Sequence, residues 1–392
     1  MKPVIVFLIL IVLLAGCLGK EEIDDLAMVM AMGIDTNEDN NIILTVQIAR
    51  PGDVTGNTGG GNGESIWTAT SEGKTIFEAV RNLARMASRR VFWAHNAIIV
   101  VNETVARQQG VVDVIDFFNR NNELRMRTWI VVTEDKASEV VATKTGLEII
   151  PGMSLERLFR YSQIVAEAPR SDVMTLTASY LGEHTHPYLA LVNLGDRGIN
   201  AETPTEFGSI PQAELSGTAV FKHDKMVGKL NVDESRGFLW FVEGIESAII
   251  PLSCPDMDGK VSVELRNNTF DVIPVYKESL VSFNVNVESK PHLVELGCST
   301  QLEHSEVLKK LEEQVEEAIV LDIERMLEKV QQEYKVDVLY LGRIFEGKYP
   351  KQWKQIEGQW IELFPNVEVN ITANVELNNP LLLENPTRTV KD

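Results

Sequence analysis

Cys17 closes the run Leu14-Ala15-Gly16-Cys17. Leucine, two small residues and a cysteine form the lipobox pattern, in which the thiol is acylated and becomes the first residue of the mature chain. Ahead of it an apolar stretch, Val4 to Leu14, follows a short end carrying Lys2, the layout of an export signal with a small-residue cleavage site. The stretch is 11 residues long, whereas a bilayer-spanning helix needs about 20, so no retained transmembrane anchor is expected there. Residues 1–16 therefore read as a signal peptide, Cys17 as the lipidation site and 17–25 as a lipid-anchored linker. Two acyl chains anchor stably where one binds marginally, and so short a linker keeps the folded body beside the bilayer.

Other chemistry-bearing residues point to less. His184-Thr185-His186 on a strand would place two imidazoles on one face, as zinc favours, but no third ligand is signposted and Pro187 ends the run. A polar loop is the better reading. His95, in Trp93-Ala94-His95-Asn96, fits a hydrogen-bonded turn more readily than a catalytic base. The glycine-dense segment Pro51 to Gly63 lacks the GK[ST] that a phosphate-cradling loop requires, and Lys74 lies eleven residues beyond it, so it reads as a flexible loop. No GxSxG, HExxH or Cys–His signature is present. The expectation is a protein that is not an enzyme, without metal or cofactor. Cys254 and Cys298 allow one disulfide in an exported chain, but two separate buried thiols are the favoured reading, because free cysteine packs as a small hydrophobe. Trp353 and Trp360 read as core packing rather than as a ligand groove.

The charge balance narrows the partners. Among 392 residues, 37 basic and 57 acidic side chains give −20, a surface that repels nucleic acid and anionic headgroups. Membrane attachment is thus expected from the lipid, not from a basic patch. With 44% hydrophobic and 24% charged residues the chain is ordinarily globular.

Strands and helices alternate along it. Ile42–Ala49, Ala97–Val101 and Thr128–Val132 read as strands. Thr75–Ser88 carries Ile76, Val80, Leu83, Ala84 and Ala87 on one helical face, and helices are expected around Val111–Phe118 and Leu155–Phe159. Gly217–Lys222 and Lys225–Gly228 follow as strands. Strict alternation marks Ser279–Glu288 and Asn366–Leu377 as half-buried strands. Between them residues 305–334 form a long amphipathic helix, with Ser305 as N-cap and a Leu308-to-Tyr334 stripe directed at its own sheet. The fold class is α+β (mixed α/β), three domains of small sheets packed with helices: 26–200, a small middle domain 213–262, and 263–386.

These segments resemble the Ger(x)C family, the lipoprotein C subunits of spore germinant receptors. The resemblance is carried by Glu22-Ile23-Asp24-Asp25-Leu26-Ala27, Met32-Gly33-Ile34-Asp35, Ala94-His95-Asn96, Phe117-Phe118-Asn119-Arg120 and Glu123-Leu124-Arg125. Further on come Leu215 to Lys222, Lys225-Met226-Val227-Gly228, Glu234-Ser235-Arg236-Gly237, Asp337-Val338, Leu341-Gly342, Tyr349-Pro350, Trp353 and Trp360. It departs from the family after Cys17, where Leu18-Gly19-Lys20 replaces Trp-Asp-Arg, and in the tail Asn378–Pro386. The resemblance implies a non-enzymatic subunit that works with A-type and B-type integral-membrane partners at the outer face of the inner spore membrane. It implies no catalytic residues. The alternative carried forward is a lipid-anchored solute-binding protein that captures a small germinant itself.

Overall fold

The structure, a computed structural model, describes residues 22, 25–49, 66–143, 148, 150–199, 207–255, 258–298 and 305–378. Cys17, the signal segment and the Pro51–Gly63 loop lie outside the described residues. Within them, three sheets packed with helices make a mixed α+β protein.

The first sheet is built from β1 (Leu26–Thr36), β2 (Ile42–Ala49), β3 (Ile66–Gly73), β4 (Arg90–Phe92), β5 (Ile98–Asn102), β6 (Trp129–Thr133), β7 (Tyr188–Ile199), β8 (Phe207–Lys222) and β9 (Lys225–Leu230). Its order is β3-β2-β1-β5-β6-β7-β8-β9, with β4 alongside the start of β1. The β1, β5, β6 and β7 strands run parallel. Their apolar runs, such as IIVV in β5 and WIVV in β6, suit strands buried on both faces. Helices cover both sides. On one lie α1 (Ile76–Leu83), α2 (Glu103–Gln108) and α3 (Val112–Arg120); on the other α4 (Ala137–Ala142) and α5 (Pro151–Tyr161); α6 (Val173–Leu181) joins the first group.

The α1 helix is shorter than its pattern suggested. Thr75 caps it by accepting from the Glu78 N–H at 3.1 Å, but it ends at Leu83, and residues 84–86 close in tighter turns. The buried face is Ile76, Ala79 and Leu83, so Val80 and Ala84 turn instead toward a surface cleft.

Beyond the first sheet follow α7 (Val232–Val242), β10 (Ala248–Ser253), β11 (Lys260–Leu265), β12 (Thr269–Lys277), β13 (Leu280–Ser289), β14 (His292–Leu296), α8 (Ser305–Leu327), α9 (Leu341–Lys348), α10 (Pro350–Ile356), α11 (Trp360–Leu363) and β15 (Glu368–Val375). They form two three-stranded sheets, β10-β11-β14 and β12-β13-β15. Alternation in β13 buries Phe283, Val285 and Val287 completely. The stripe of α8 (Leu311, Val315, Ile319, Ile323 and Met326) is equally buried, against β15, β10 and α7. A π-helical turn over Glu328–Glu333 continues it.

Two expectations meet a different arrangement. Residues 213–230, assigned to a middle domain, lie in strands of the first sheet. β8 pairs β7 along nearly its whole length, so the ladder crosses the Gly/Pro/Thr-rich interval. Residues 232–262 share a core with the C-terminal strands. Side chains alternate across a strand, which lets β8 serve both cores: Ala219 and Phe221 face the first, Val220 the second. The cysteines are also corrected. Cys254 and Cys298 are not separate thiols but form a disulfide, Cα–Cα 5.7 Å. Each lies just past a strand that pairs with β11, and turns at Gly259 and Gly297 hydrogen-bond the chain ends into register. That neighbourhood is invisible across 44 residues of sequence.

Candidate functional site

Some of the residues that carry the family resemblance border one of two places. The first is the seam between the first sheet and the second core. Gly228 of β9 sits against Tyr334, where an added Cβ would overlap the phenol ring. The Tyr334 hydroxyl donates to the Lys229 carbonyl at 2.7 Å and accepts from the Lys229 N–H at 3.1 Å. Gly237 of α7 meets the Asp322 carbonyl of α8 just as closely. Arg236 beside it donates to Asp322 at 2.7 Å, and burial pushes the Asp322 carboxyl above its ordinary range against that partner. Ser235 and Thr218 bond hydroxyl to hydroxyl at 2.9 Å, and Asn231 with Glu234 forms a capping box that starts α7.

Asp337 anchors the second core behind the seam. It is fully enclosed and accepts from the Leu341 and Gly342 N–H groups at 3.0 and 2.8 Å and from the Trp360 indole at 2.9 Å. Burial raises its carboxyl while these donors pull it down. Trp353 and Trp360 are core residues, edge-to-face at 5.4 Å, and Gly342 leaves the space they fill.

The His184-Thr185-His186 pair is not on a strand and does not converge. His184 packs edge-on against Trp353 at 5.1 Å. His186, buried, accepts from the His223 N–H at 3.2 Å. Burial first, then the charges of His223 and Lys222, lower its pKa to about 4. Among the described residues no three His, Cys, Asp or Glu side chains form a metal-holding group. His95 is exposed beside Phe92, while Asn96 is buried with neither side-chain polar atom partnered.

The second place is a surface cleft of about 800 Å³ between α1, β4 and α3. Phe77, Val80, Trp93 and Phe117 give it an apolar wall, and Arg81, Arg89, Arg90 and Arg120 a basic one. Arg90 pairs with Glu123, and Arg120 with Asp116 at 2.8 Å. The Arg81 guanidinium lies 4.9 Å from the centre of the Phe77 ring, within cation–π range. Sequence reasoning passed over this site. Its signal was the run Arg81-Asn82-Leu83-Ala84-Arg85-Met86-Ala87-Ser88-Arg89-Arg90, four arginines without a carboxylate in an acidic chain.

Comparison with known proteins assigns the chain to a family. The family described as "Spore germination protein N-terminal domain" matches residues 19–194, and "Spore germination B3/ GerAC like, C-terminal" matches 216–380. The chain is a spore germination protein. It belongs to the GerAC-like, or Ger(x)C, family that its motifs resemble. It is 27% identical to spore germination protein KC of Bacillus subtilis, over 98% of this chain and 97% of that one. It is 24% identical to spore germination protein B3 of the same organism, over 95% and 96%. The crystal structure of the GerBC protein aligns with a TM-score of 0.55 at 21% identity, covering 89% of this chain and 97% of that one, and so shares the fold. Among the described residues no helix is long and apolar enough to cross a membrane.

Proposed function

We propose that this chain is the C subunit of a nutrient germinant receptor, a non-enzymatic component that assembles with A-type and B-type integral-membrane subunits. In this reading lipid on Cys17 and the linker 17–25 hold it at the outer face of the inner spore membrane. The observation that carries the proposal is the pair of family matches, which together span 19–194 and 216–380. The seam supports it. Resemblance-carrying Gly228 and Trp353 meet partners across the two cores, Tyr334 and His184, while Arg236, Gly237, Asp337, Gly342 and Trp360 spend their polar and steric capacity on holding the second core rigid behind that seam. A body built this way transmits or resists force as a unit, which suits a coupling subunit.

Spores carrying Cys17→Ala test the anchor and the role together. The expected result is loss of the chain from the membrane fraction and a failed response to nutrient germinants. Normal germination with a released chain overturns the proposal. Purification of the wild-type chain from spore membranes is expected to bring two polytopic proteins with it.

A further inference from the structure

Charge on this acidic chain is unevenly placed. From Lys74 to Arg127 there are nine basic and five acidic residues, a net of +4 within a total of −20. The cleft collects part of that excess. Of its lining arginines, Arg90 and Arg120 are paired with Glu123 and Asp116, whereas Arg81 and Arg89 form no ion pair with any described carboxylate. Asp113 is the remaining lining acid, which leaves the wall with one surplus positive charge. The apolar wall opens outward: Phe77, beneath Arg81, is 52% exposed.

The cleft's position is set by the sheet. Its β4 edge begins at Arg90, and Arg90 lies opposite Leu26, the first residue of β1. Leu26 lies nine positions after Cys17, a span of at most about 30 Å when extended. The chain therefore enters the fold beside the cleft. If Cys17 carries the lipid, this is the face next to the bilayer.

We propose that the cleft binds the phosphate headgroup of an anionic phospholipid in the membrane to which the chain is anchored; this rests on the reading of Cys17 as the anchor. Guanidinium groups match phosphate in a planar, two-pronged geometry. Exposed aromatic and apolar side chains beside them belong at headgroup depth. The acidic remainder of the body is repelled by the same lipids. The lipid on Cys17 thus supplies tethering, and the cleft supplies orientation, turning one face of the body to the membrane and the others away.

The test uses the whole chain after the expected cleavage, with Cys17→Ser so that no lipid is attached and the result does not depend on the anchor. It is sedimented with vesicles of phosphatidylcholine alone or mixed with phosphatidylglycerol. The expected result is binding only to the mixed vesicles, weakened about 30-fold in Arg81→Ala/Arg89→Ala, taking about fivefold for each arginine near an anionic surface. Arg81→Lys/Arg89→Lys, which keeps the charge and loses the two-pronged fit, falls between the wild type and the alanine pair. Lys351→Ala/Lys354→Ala, the same charge change on exposed residues of α10, leaves it unchanged. Binding that ignores phosphatidylglycerol, or that falls equally in both alanine pairs, overturns the proposal. So does calorimetric binding of inorganic phosphate without vesicle binding, which would assign the cleft to a soluble anion. Retention of vesicle binding while the natural chain is found unlipidated would overturn the anchor and not the headgroup site.

Discussion

The seam and the cleft are both lined by residues shared with the family pattern, yet they treat polar groups in opposite ways. At the seam and in the core just behind it Asp337 has three N–H donors, Asp322 has Arg236, and the Tyr334 hydroxyl both donates and accepts. In the cleft two arginines extend without a carboxylate among the described residues. Buried polar groups must be satisfied within the protein, while exposed charges are free to meet a partner from outside. The seam is thus internally complete and reads as structure, and the cleft is internally incomplete and reads as a surface for something else.

The strongest way to break that comparison is to overfill the seam. Gly228→Ala drives a methyl group into the Tyr334 ring, and overpacking of this kind costs about 3 kcal/mol. The expected outcome is an unfolding free energy, read from urea titration, lowered by that amount. Adding Tyr334→Ala should recover part of it by emptying the space the methyl needs, although it also removes two hydrogen bonds to Lys229. A Gly228→Ala chain as stable as the wild type would mean that the seam yields, and that its close approach fastens nothing.

Periodicity in the sequence announced the elements but not their company. The alternation of Val281, Phe283, Val285 and Val287 and the stripe of α8 are local patterns, and both appear where expected. Seam contacts join residues about a hundred positions apart, such as Lys229 and Tyr334, and nothing local encodes them. The Gly228 and Gly237 motifs were visible as resemblance, but their purpose, admitting a ring and a helix backbone, needed coordinates. The disulfide was misread for the same reason: burial suits free thiols and bonded ones alike, and only the register of β10, β11 and β14 brings Cys254 to Cys298. The histidine pair lies in the loop its sequence favoured: Glu183 to Pro187 is irregular, so the two rings face different neighbours. In the cleft the arginine run was legible, but the register of Leu26 with Arg90 gives it meaning.

A smaller, conditional effect sharpens the seam further. Buried His186 is held neutral, with its pKa lowered from 6.5 to about 4, and its Nδ1 accepts from the backbone of His223. The unfolded chain takes up this proton first, so the stabilising contribution is whole above about pH 6.5 and is lost as pH falls toward 4. The loss amounts to on the order of 3 kcal/mol at pH 4. Asp322, Asp337 and Glu243 have carboxyls raised by burial and act in the opposite direction. The measurement is therefore a difference: urea midpoints of the wild type and His186→Gln between pH 7 and pH 4.5. The gap should narrow as the pH falls, because the variant lacks this term. A gap that stays constant across the range would show that His186 does not titrate with unfolding.

The smallest stability effect is expected at the cleft, and its smallness is the point. Arg81 and Arg89 are exposed and pair with no described acid, so Arg81→Ala/Arg89→Ala should shift the unfolding free energy by no more than about 1 kcal/mol. The one contact at risk is the Arg81 guanidinium over Phe77, worth about 0.5–1 kcal/mol at an exposed site. Arg81→Ala alone therefore sets the upper limit, and Arg89→Ala alone should be silent. The same double variant is expected to weaken binding to anionic vesicles many-fold, so one substitution moves association and spares folding, the reverse of Gly228→Ala. A loss of 2 kcal/mol or more would mean that these arginines hold α1 and β4 together. The cleft would then be a second seam, its charges spent on the fold and not on the membrane.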